Sequence, residues 1–164
     1  MKALLAAIVF LLAAMAAGHA ADQPQTFPEI KEWSSLRIVY ESRITYPDGE
    51  AYKVEIFPDG AVWYEGFAGV AAKGQIPLRI SREAVTALFA KFRAANFFAL
   101  NDAYRGGLHD VGQNEITLTI AFDGRSKSVT DYFGPLAGMP ASVTEIERTI
   151  EQIKGLKALI KAYE

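Results

Sequence analysis

Residues 115–133 read EITLTIAFDGRSKSVTDYF and form the clearest hairpin pattern in this 164-residue chain. Apolar side chains at Ile116, Leu118 and Ile120 alternate with threonine, a period of two that indicates a strand with one buried face. The pair Asp123-Gly124 is typical of the tight turn between antiparallel strands, because that turn needs positive φ angles. The stretch therefore predicts an antiparallel sheet with one face packed against other elements.

Four more strands are predicted upstream of this hairpin. Their alternating apolar segments begin at Leu36, Tyr52, Val62 and Ile76. Turns rich in Pro, Asp and Gly at residues 46–49 and 58–60 separate the first three, since these residue types suit tight turns. Pro77 lacks an N–H donor, so the fourth strand is expected at an edge of the sheet.

The period then changes to that of a helix. Ser81 is a predicted N-cap for a helix that buries Val85, Leu88, Phe89 and Phe92. A second helix follows the hairpin, with a capping box at Ser142 and Glu145 and an apolar stripe from Ile146 to Ile160. The predicted fold is α+β: a mainly antiparallel sheet of about six strands, ordered β-β-β-β-α-β-β-α, with two helices packed on one face.

The N-terminus has the pattern of a secretory signal peptide. Lys2 precedes an apolar run from Ala3 to Ala17, and the small residues Gly18 and Ala20 suit signal peptidase. We expect cleavage after Ala20 and a periplasmic or secreted product. The predicted organisation is a signal peptide at residues 1–20, a flexible leader at 21–35 and a single α+β domain at 36–164.

Composition excludes several classes of function. Loss of Lys2 with the signal peptide leaves 16 basic and 19 acidic side chains, which does not suit nucleic-acid binding. No segment after the signal peptide is apolar enough to predict a membrane span. The chain has no cysteine, and His109 is the one histidine of the mature product, so we predict neither a metal site nor a cofactor.

Residues 52–66, YKVEIFPDGAVWYEG, resemble the signature of a bacterial family known as domain of unknown function 6438. The similarity continues through Ile80-Ser81, residues 95–98 and residues 131–134, and covers about residues 36–155. The resemblance implies a fold grouping and no activity, because none is assigned to the family. Members often carry two cysteines before the equivalent of Tyr52; residues 43–51 contain neither, so any disulfide or site built from them is missing here.

The first candidate site is the glycine-rich loop of residues 101–113. Its polar side chains are Asp102, Tyr104, Arg105, His109 and Asp110. A histidine with a neighbouring carboxylate can act as a base held by an orienting group. The alternative is a solvated connection between helix and strand, and the favoured interpretation is that His109 is not catalytic.

Two further candidates lie in the sheet. Asp131 and Tyr132 end the last strand before a Gly-Pro loop and a helix N-terminus, a position that suits an anion or a partner backbone. The alternative is that Asp131 accepts backbone hydrogen bonds in the turn. Trp63 and Tyr64 are neighbours on a strand and must face opposite sides. An outward Trp63 would suit protein recognition, or it would pair with aromatic side chains across the strands.

The sequence favours an exported, non-enzymatic binding or accessory module of the bacterial cell envelope. Its partner would be another envelope protein, with no nucleic acid involved, and its oligomeric state is left open. One alternative is a small periplasmic hydrolase that uses His109 with Asp102 or Asp110. Another is a carrier of a small apolar ligand held between sheet and helices.

Overall fold

A computed structural model describes residues 26–47, 49–107 and 112–161. The strands are Arg37–Arg43 (β1), Ala51–Ile56 (β2), Ala61–Ala68 (β3), Gly74–Arg79 (β4), Ala103–Arg105 (β5), Glu115–Phe122 (β6) and Arg125–Tyr132 (β7). The α-helices are Arg82–Ala94 (α1), Ala141–Glu151 (α2) and Leu156–Ile160 (α3), with 3₁₀ turns at Trp33–Ser35, Phe97–Ala99 and Gly134–Ala137.

The seven strands form one sheet in the order β4-β3-β2-β1-β6-β7-β5. Every pairing is antiparallel except that of β5 with β7, which is parallel. The predicted α+β class and mainly antiparallel sheet are confirmed, with one strand more than the six expected. The additional strand, β5, lies in the loop of residues 101–113, and three residues are too few to show a period of two.

The core lies between one face of the sheet and the helices. From α1 it receives Val85, Leu88, Phe89 and Phe92, the stripe predicted from the spacing. Phe89 meets Phe27, Trp33 and Phe122 edge to face. The opposite face of the sheet is polar and carries ion pairs such as Arg37 with Glu55.

The C-terminal helical region differs from the prediction of one capped helix. The helix breaks after Glu151, and α3 begins after Gly155, whose φ of +91° is left-handed. The predicted capping box is wrong: α2 begins at Ala141 after Pro140, without a side-chain cap. Ser142 is thus inside the first turn, because proline already fixes an extended residue at the helix entry. Ser81 does cap α1, accepting from the Ala84 amide at 3.1 Å.

Residues 26–35, part of the segment that the sequence indicated as a flexible leader, pack against the domain. Phe27, Ile30 and Trp33 lie on the core, and the backbone amides of Lys31 and Glu32 donate to Asp123 in the hairpin turn. Residues 1–25, with the predicted signal peptide and cleavage site, lie outside the described residues. Within the described ranges, no helix is both long and apolar enough to cross a membrane.

Candidate functional site

The strand register aligns four inward-facing side chains in a row across the sheet. Asp131 on β7 pairs with Ile116 on β6, which pairs with Ser42 on β1, which pairs with Tyr52 on β2. Antiparallel partners share a face of the sheet, so the row points to the side that the helices cover. It provides a polar stripe beside an otherwise apolar core.

A cavity of about 550 Å³ lies beside this row. Its remaining walls come from α2, α3 and the segments that precede β2 and β6. The lining residues are Tyr40, Ser42, Glu50, Tyr52, Gln113, Asn114, Ile116, Asp131, Glu147, Arg148, Glu151, Gln152, Lys157, Ile160 and Lys161. The cavity therefore opens where sheet, helices and loops meet, a common position for a ligand site.

Two stacked tyrosines form part of the wall. The rings of Tyr40 and Tyr52 lie 5.8 Å apart at 20°. The hydroxyl of Tyr40 donates to Oε1 of Glu151 at 2.7 Å, and that of Tyr52 lies 3.5 Å from the hydroxyl of Tyr40. Burial raises the pKa of both phenols well above the ordinary value, so both keep their protons. Tyr40 donates to Glu151, and Tyr52 donates to the hydroxyl oxygen of Tyr40.

A pair of buried carboxyl groups forms the inner wall. Asp131 is 5% exposed and Glu147 is 8% exposed. Oδ1 of Asp131 accepts from the Gly134 amide at 2.6 Å. Burial raises the pKa of Glu147 to about 8, and the charges of Asp131 and Glu151 and a hydrogen bond with Asp131 add to the effect. Burial also raises the pKa of Asp131, so the pair holds a proton at neutral pH.

Two acceptor atoms of residues that line the cavity have no partner among the described residues: Oε1 of Glu147 and Oδ1 of Asn114. The amide orientation of Asn114 is fixed, because Nδ2 donates to Oε2 of Glu50 at 2.9 Å and a carboxylate accepts only. Buried polar groups without partners are uncommon in folded proteins. Both oxygens are almost completely enclosed by protein atoms, so neither is exposed to the cavity.

The charges of the cavity are separated by depth. The carboxyl groups belong to Glu50, Asp131, Glu147 and Glu151, and the basic groups to Arg148, Lys157 and Lys161. Arg148 and Lys161 are more than half exposed; Arg148 pairs with Glu145, and the Lys161 ammonium lies 3.6 Å from Glu50. Asp131 and Glu147 are buried, whereas Glu151 is exposed at the solvent side, as the basic groups are. The inner wall is thus acidic at Asp131 and Glu147.

The structure brings one of the predicted site residues, Asp131, into the cavity. Tyr132 lies beside it on the opposite face of the sheet, edge to face with Phe133. Trp63 is 40% exposed, also on that opposite face, while Tyr64 is buried as the alternation predicts. Asp131, Tyr132 and Trp63 therefore do not share a site.

The loop candidates separate in the same way. Exposed Asp102 pairs with Lys127, and Arg105 pairs with Glu115 on β6. Tyr104 is buried, and its hydroxyl accepts from the Asn101 amide at 3.3 Å. His109 and Asp110 lie outside the described residues.

Sequence reasoning missed Glu147, Glu151, Tyr40 and Asn114. One signal for Glu147 was present: it follows Val143 by four residues, at the spacing of the helix face that Val143, Ile146 and Ile150 bury. A carboxylate on a buried stripe is either paired or functional. No such signal marks Asn114, because its position in the cavity depends on the conformation of the loop before β6.

Among the described residues, no group of three or more His, Cys, Asp or Glu side chains is arranged to hold a metal ion. The family model described as a domain of unknown function, DUF6438, matches residues 36–154. This chain belongs to the DUF6438 family. No curated protein matches the chain. The DUF6438 match confirms the resemblance and includes both carboxyl groups of the inner wall, Asp131 and Glu147, whereas Lys157, Ile160 and Lys161 lie beyond it.

Proposed function

We propose that this protein is an exported, non-enzymatic binding module of the bacterial cell envelope, and that its ligand occupies the cavity beside Asp131. The observation that carries this proposal is a cavity of about 550 Å³ whose lining includes the buried carboxyl groups of Asp131 and Glu147. Cavities of roughly 300–1,000 Å³ hold small-molecule ligands. A small molecule therefore fits the space.

The inner wall is also preorganised. Asp131, Ser42 and Tyr52 stand on paired strands, and Tyr40 is tied to Glu151 on α2. Side chains on a rigid sheet hold their positions better than side chains on loops. Binding to such a wall costs little ordering of the protein.

The cavity gives less support to the two alternatives. For the hydrolase, Asp102 is exposed and paired with Lys127, away from the cavity lining, so Asp102 has no enclosed site. For the carrier of an apolar ligand, the buried carboxyl groups of Asp131 and Glu147 in the lining are unfavourable, because an apolar occupant would exclude water from them. The ligand we propose is accordingly polar.

A fragment screen tests the proposal. Mature protein labelled with ¹⁵N is titrated with cationic, neutral and anionic fragments, and amide shifts are mapped. We expect the shifts of binding fragments to cluster at Tyr52, Asn114 and Glu147. Ile116→Phe, which adds volume inside the cavity, should weaken the hits at least tenfold.

Val39→Phe is the matched control, because Val39 lies on the opposite face of the same sheet. It should leave fragment affinities within about twofold of wild type. Hits that spread over the surface, or that bind Ile116→Phe unchanged, would refute a ligand cavity. Hydrolysis of a test substrate that His109→Ala abolishes would favour the hydrolase instead.

Export is tested separately. The full chain with its own N-terminus is expressed in a Gram-negative host, and the periplasmic fraction is analysed by intact-mass spectrometry. We expect a product that begins at Ala21. A mass that retains residues 1–20, or protein confined to the cytoplasm, would contradict the export part of the proposal.

A further inference from the structure

Residues 26–35, which we call the strap, lie at the end of the sheet opposite the cavity. The cavity includes Ile116 near the start of β6, whereas the strap contacts Phe122 and Asp123 where β6 ends. The strap also precedes residues 36–154, which the family model matches. We infer that the strap opens as a unit while the sheet and helices stay folded, and that Asp123 is the latch that closes it. This inference is independent of the proposed ligand.

Three apolar side chains attach the strap to the core, namely Phe27, Ile30 and Trp33. The ring of Phe27 lies 5.3 Å from that of Phe98 and 5.5 Å from that of Phe89, edge to face in both cases. All three strap side chains are half-buried, whereas the core side chains beneath them are fully buried. Apolar burial therefore favours the closed strap, and opening exposes the aromatic surface beneath Phe27.

Asp123 makes the hydrogen bonds that hold the strap. Its Oδ2 accepts from the Lys31 amide at 2.6 Å, and its Oδ1 accepts from the Glu32 amide at 3.0 Å. The Asp123 amide in turn donates to Oγ of Ser35 at 2.9 Å. Within the described ranges, no backbone–backbone hydrogen bond joins the strap to a strand or an α-helix. A single residue thus supplies the polar attachment of the whole segment.

The latch is a carboxylate at neutral pH. The hydrogen bond from the Lys31 amide, together with those from Glu32 and Ser35, holds the pKa of Asp123 below its ordinary value. Hydrogen bonds to an ionised acceptor are stronger than neutral ones. These bonds also lie at the exposed surface, where water can replace each of them. The latch therefore favours the closed strap without preventing its release.

The sheet keeps its own backbone hydrogen bonds when the strap opens. β1 begins at Arg37 and pairs with β2 on one side and β6 on the other. Leu36, which directly follows the strap, is 1% exposed and anchors the chain where the strap meets the sheet. Segments with few buried contacts and exposed hydrogen bonds open before the core of a protein does. The strap has both features, so its opening costs less free energy than unfolding of the sheet.

Trp33 reports on the strap in the Trp63→Phe variant, in which it is the one remaining tryptophan. Trp63 is 40% exposed on the opposite face of the sheet, so this substitution leaves the strap contacts in place. Quenching of Trp33 by acrylamide and far-UV circular dichroism are followed through one urea titration. We expect Trp33 to become accessible at a urea midpoint at least about 1 M below that of the circular dichroism. Coincident transitions would overturn the inference.

Asp123→Asn tests the latch. Asparagine tolerates the left-handed φ of +49° at this turn position, so the variant changes the carboxylate and keeps the turn. The Ser35 amide donates to the carbonyl of Glu32 within the strap, so its hydrogen exchange reports opening without involving Asp123 directly. Its protection factor should fall at least about tenfold in Asp123→Asn. Asp59→Asn is the matched control, because Asp59 accepts from the Ala61 amide in its own hairpin turn.

Wild-type protein gives a second measurement that needs no variant to fold. The protection factor of Ser35 should be at least about a hundredfold lower than that of Leu118, which lies on β6 between two paired strands. About 1 M urea should accelerate exchange at Leu118 at least fivefold and at Ser35 less than twofold. Equal protection and equal urea dependence would show that the strap unfolds only with the sheet, and would overturn the inference. Equal losses of Ser35 protection in Asp123→Asn and Asp59→Asn would reject Asp123 as the latch.

Discussion

The hydroxyl of Tyr40 donates a 2.7 Å hydrogen bond to Oε1 of Glu151, across 111 residues of sequence. Tyr40 stands on the central strand β1, and Glu151 is the last residue of α2. This bond fixes the end of α2 over the sheet beside the cavity. The position of Glu147, one turn earlier on the same helix, depends on it.

Tyr40→Phe should therefore lower the free energy of unfolding by about 1–2 kcal/mol, the usual contribution of a hydrogen bond to a charged group that partly reaches water. Urea denaturation at pH 7 measures the change. Tyr52→Phe is the matched control, since its hydroxyl makes only the long 3.5 Å contact with Tyr40. We expect less than about 0.5 kcal/mol for the control. Equal effects would mean that the Tyr40 bond to Glu151 is not the stabilising contact.

The two helix entries give a second prediction. Ser81 accepts from the Ala84 amide, so Ser81→Ala should cost about 1 kcal/mol of stability. Ser142 makes no such cap at α2. Ser142→Ala should therefore change the free energy of unfolding by less than about 0.3 kcal/mol, because it only exchanges one residue for a better helix former inside the helix. Thermal and urea melts of both variants measure these effects. A loss of stability in Ser142→Ala as large as that in Ser81→Ala would instead support the capping box predicted at Ser142 and Glu145.

Phe89 gives a third prediction, because it connects α1, β6 and the N-terminal segment. Its ring contacts Phe27, Trp33 and Phe122 and is 4% exposed. Phe89→Ala should destabilise the fold by roughly 3–5 kcal/mol, the range for emptying a large aromatic site. Phe67→Ala, at a half-exposed position on β3, should cost less than about 1 kcal/mol. An unchanged denaturation midpoint for Phe89→Ala would contradict this packing.

Most of the fold could be predicted because its signals are local. Asp123-Gly124 fixes a hairpin, and both residues do take positive φ. The stripe from Val85 to Phe92 likewise identified the buried face of α1. The short β5 was missed because its pairing with β7 is parallel and comes from a distant segment.

The cavity could not be predicted, because it is a product of long-range packing. Asp131 was selected from its place at a strand end, but Glu147 reaches it only when α2 lies across β7. Ser142 and Glu145 matched a capping motif, yet Pro140 decided where α2 begins. Local patterns predict which face of a helix or strand is buried. They do not predict which charged side chains from different elements lie side by side on the buried faces.

The last prediction concerns pH. The pKa of Glu147 is about 8 in the folded protein and near 4.5 when unfolded. Between these values the folded state holds a proton that the unfolded state has released. The free energy of unfolding must therefore fall as the pH rises from about 4.5 to 8, and above that range the loss is complete.

Several charged groups set this behaviour. Asp131 on β7 and Glu151 on α2 oppose the ionisation of Glu147. The cavity also contains Glu50, which adds negative charge, and the basic groups Arg148, Lys157 and Lys161, which lie at the solvent side and oppose the effect weakly. The raised pKa of Asp131 acts in the same direction as that of Glu147.

Glu147→Gln removes this dependence, because the amide stays neutral and keeps an acceptor oxygen. At pH 5 the variant should match wild type within about 1 kcal/mol, and at pH 8.5 it should be more stable by an amount on the order of a few kcal/mol. Urea denaturation at both pH values measures the difference. Glu145→Gln, on the exposed side of α2, should follow the wild-type pH profile. Parallel profiles for wild type and Glu147→Gln would show that Glu147 is ionised in the folded protein and that the buried carboxyl pair holds no proton.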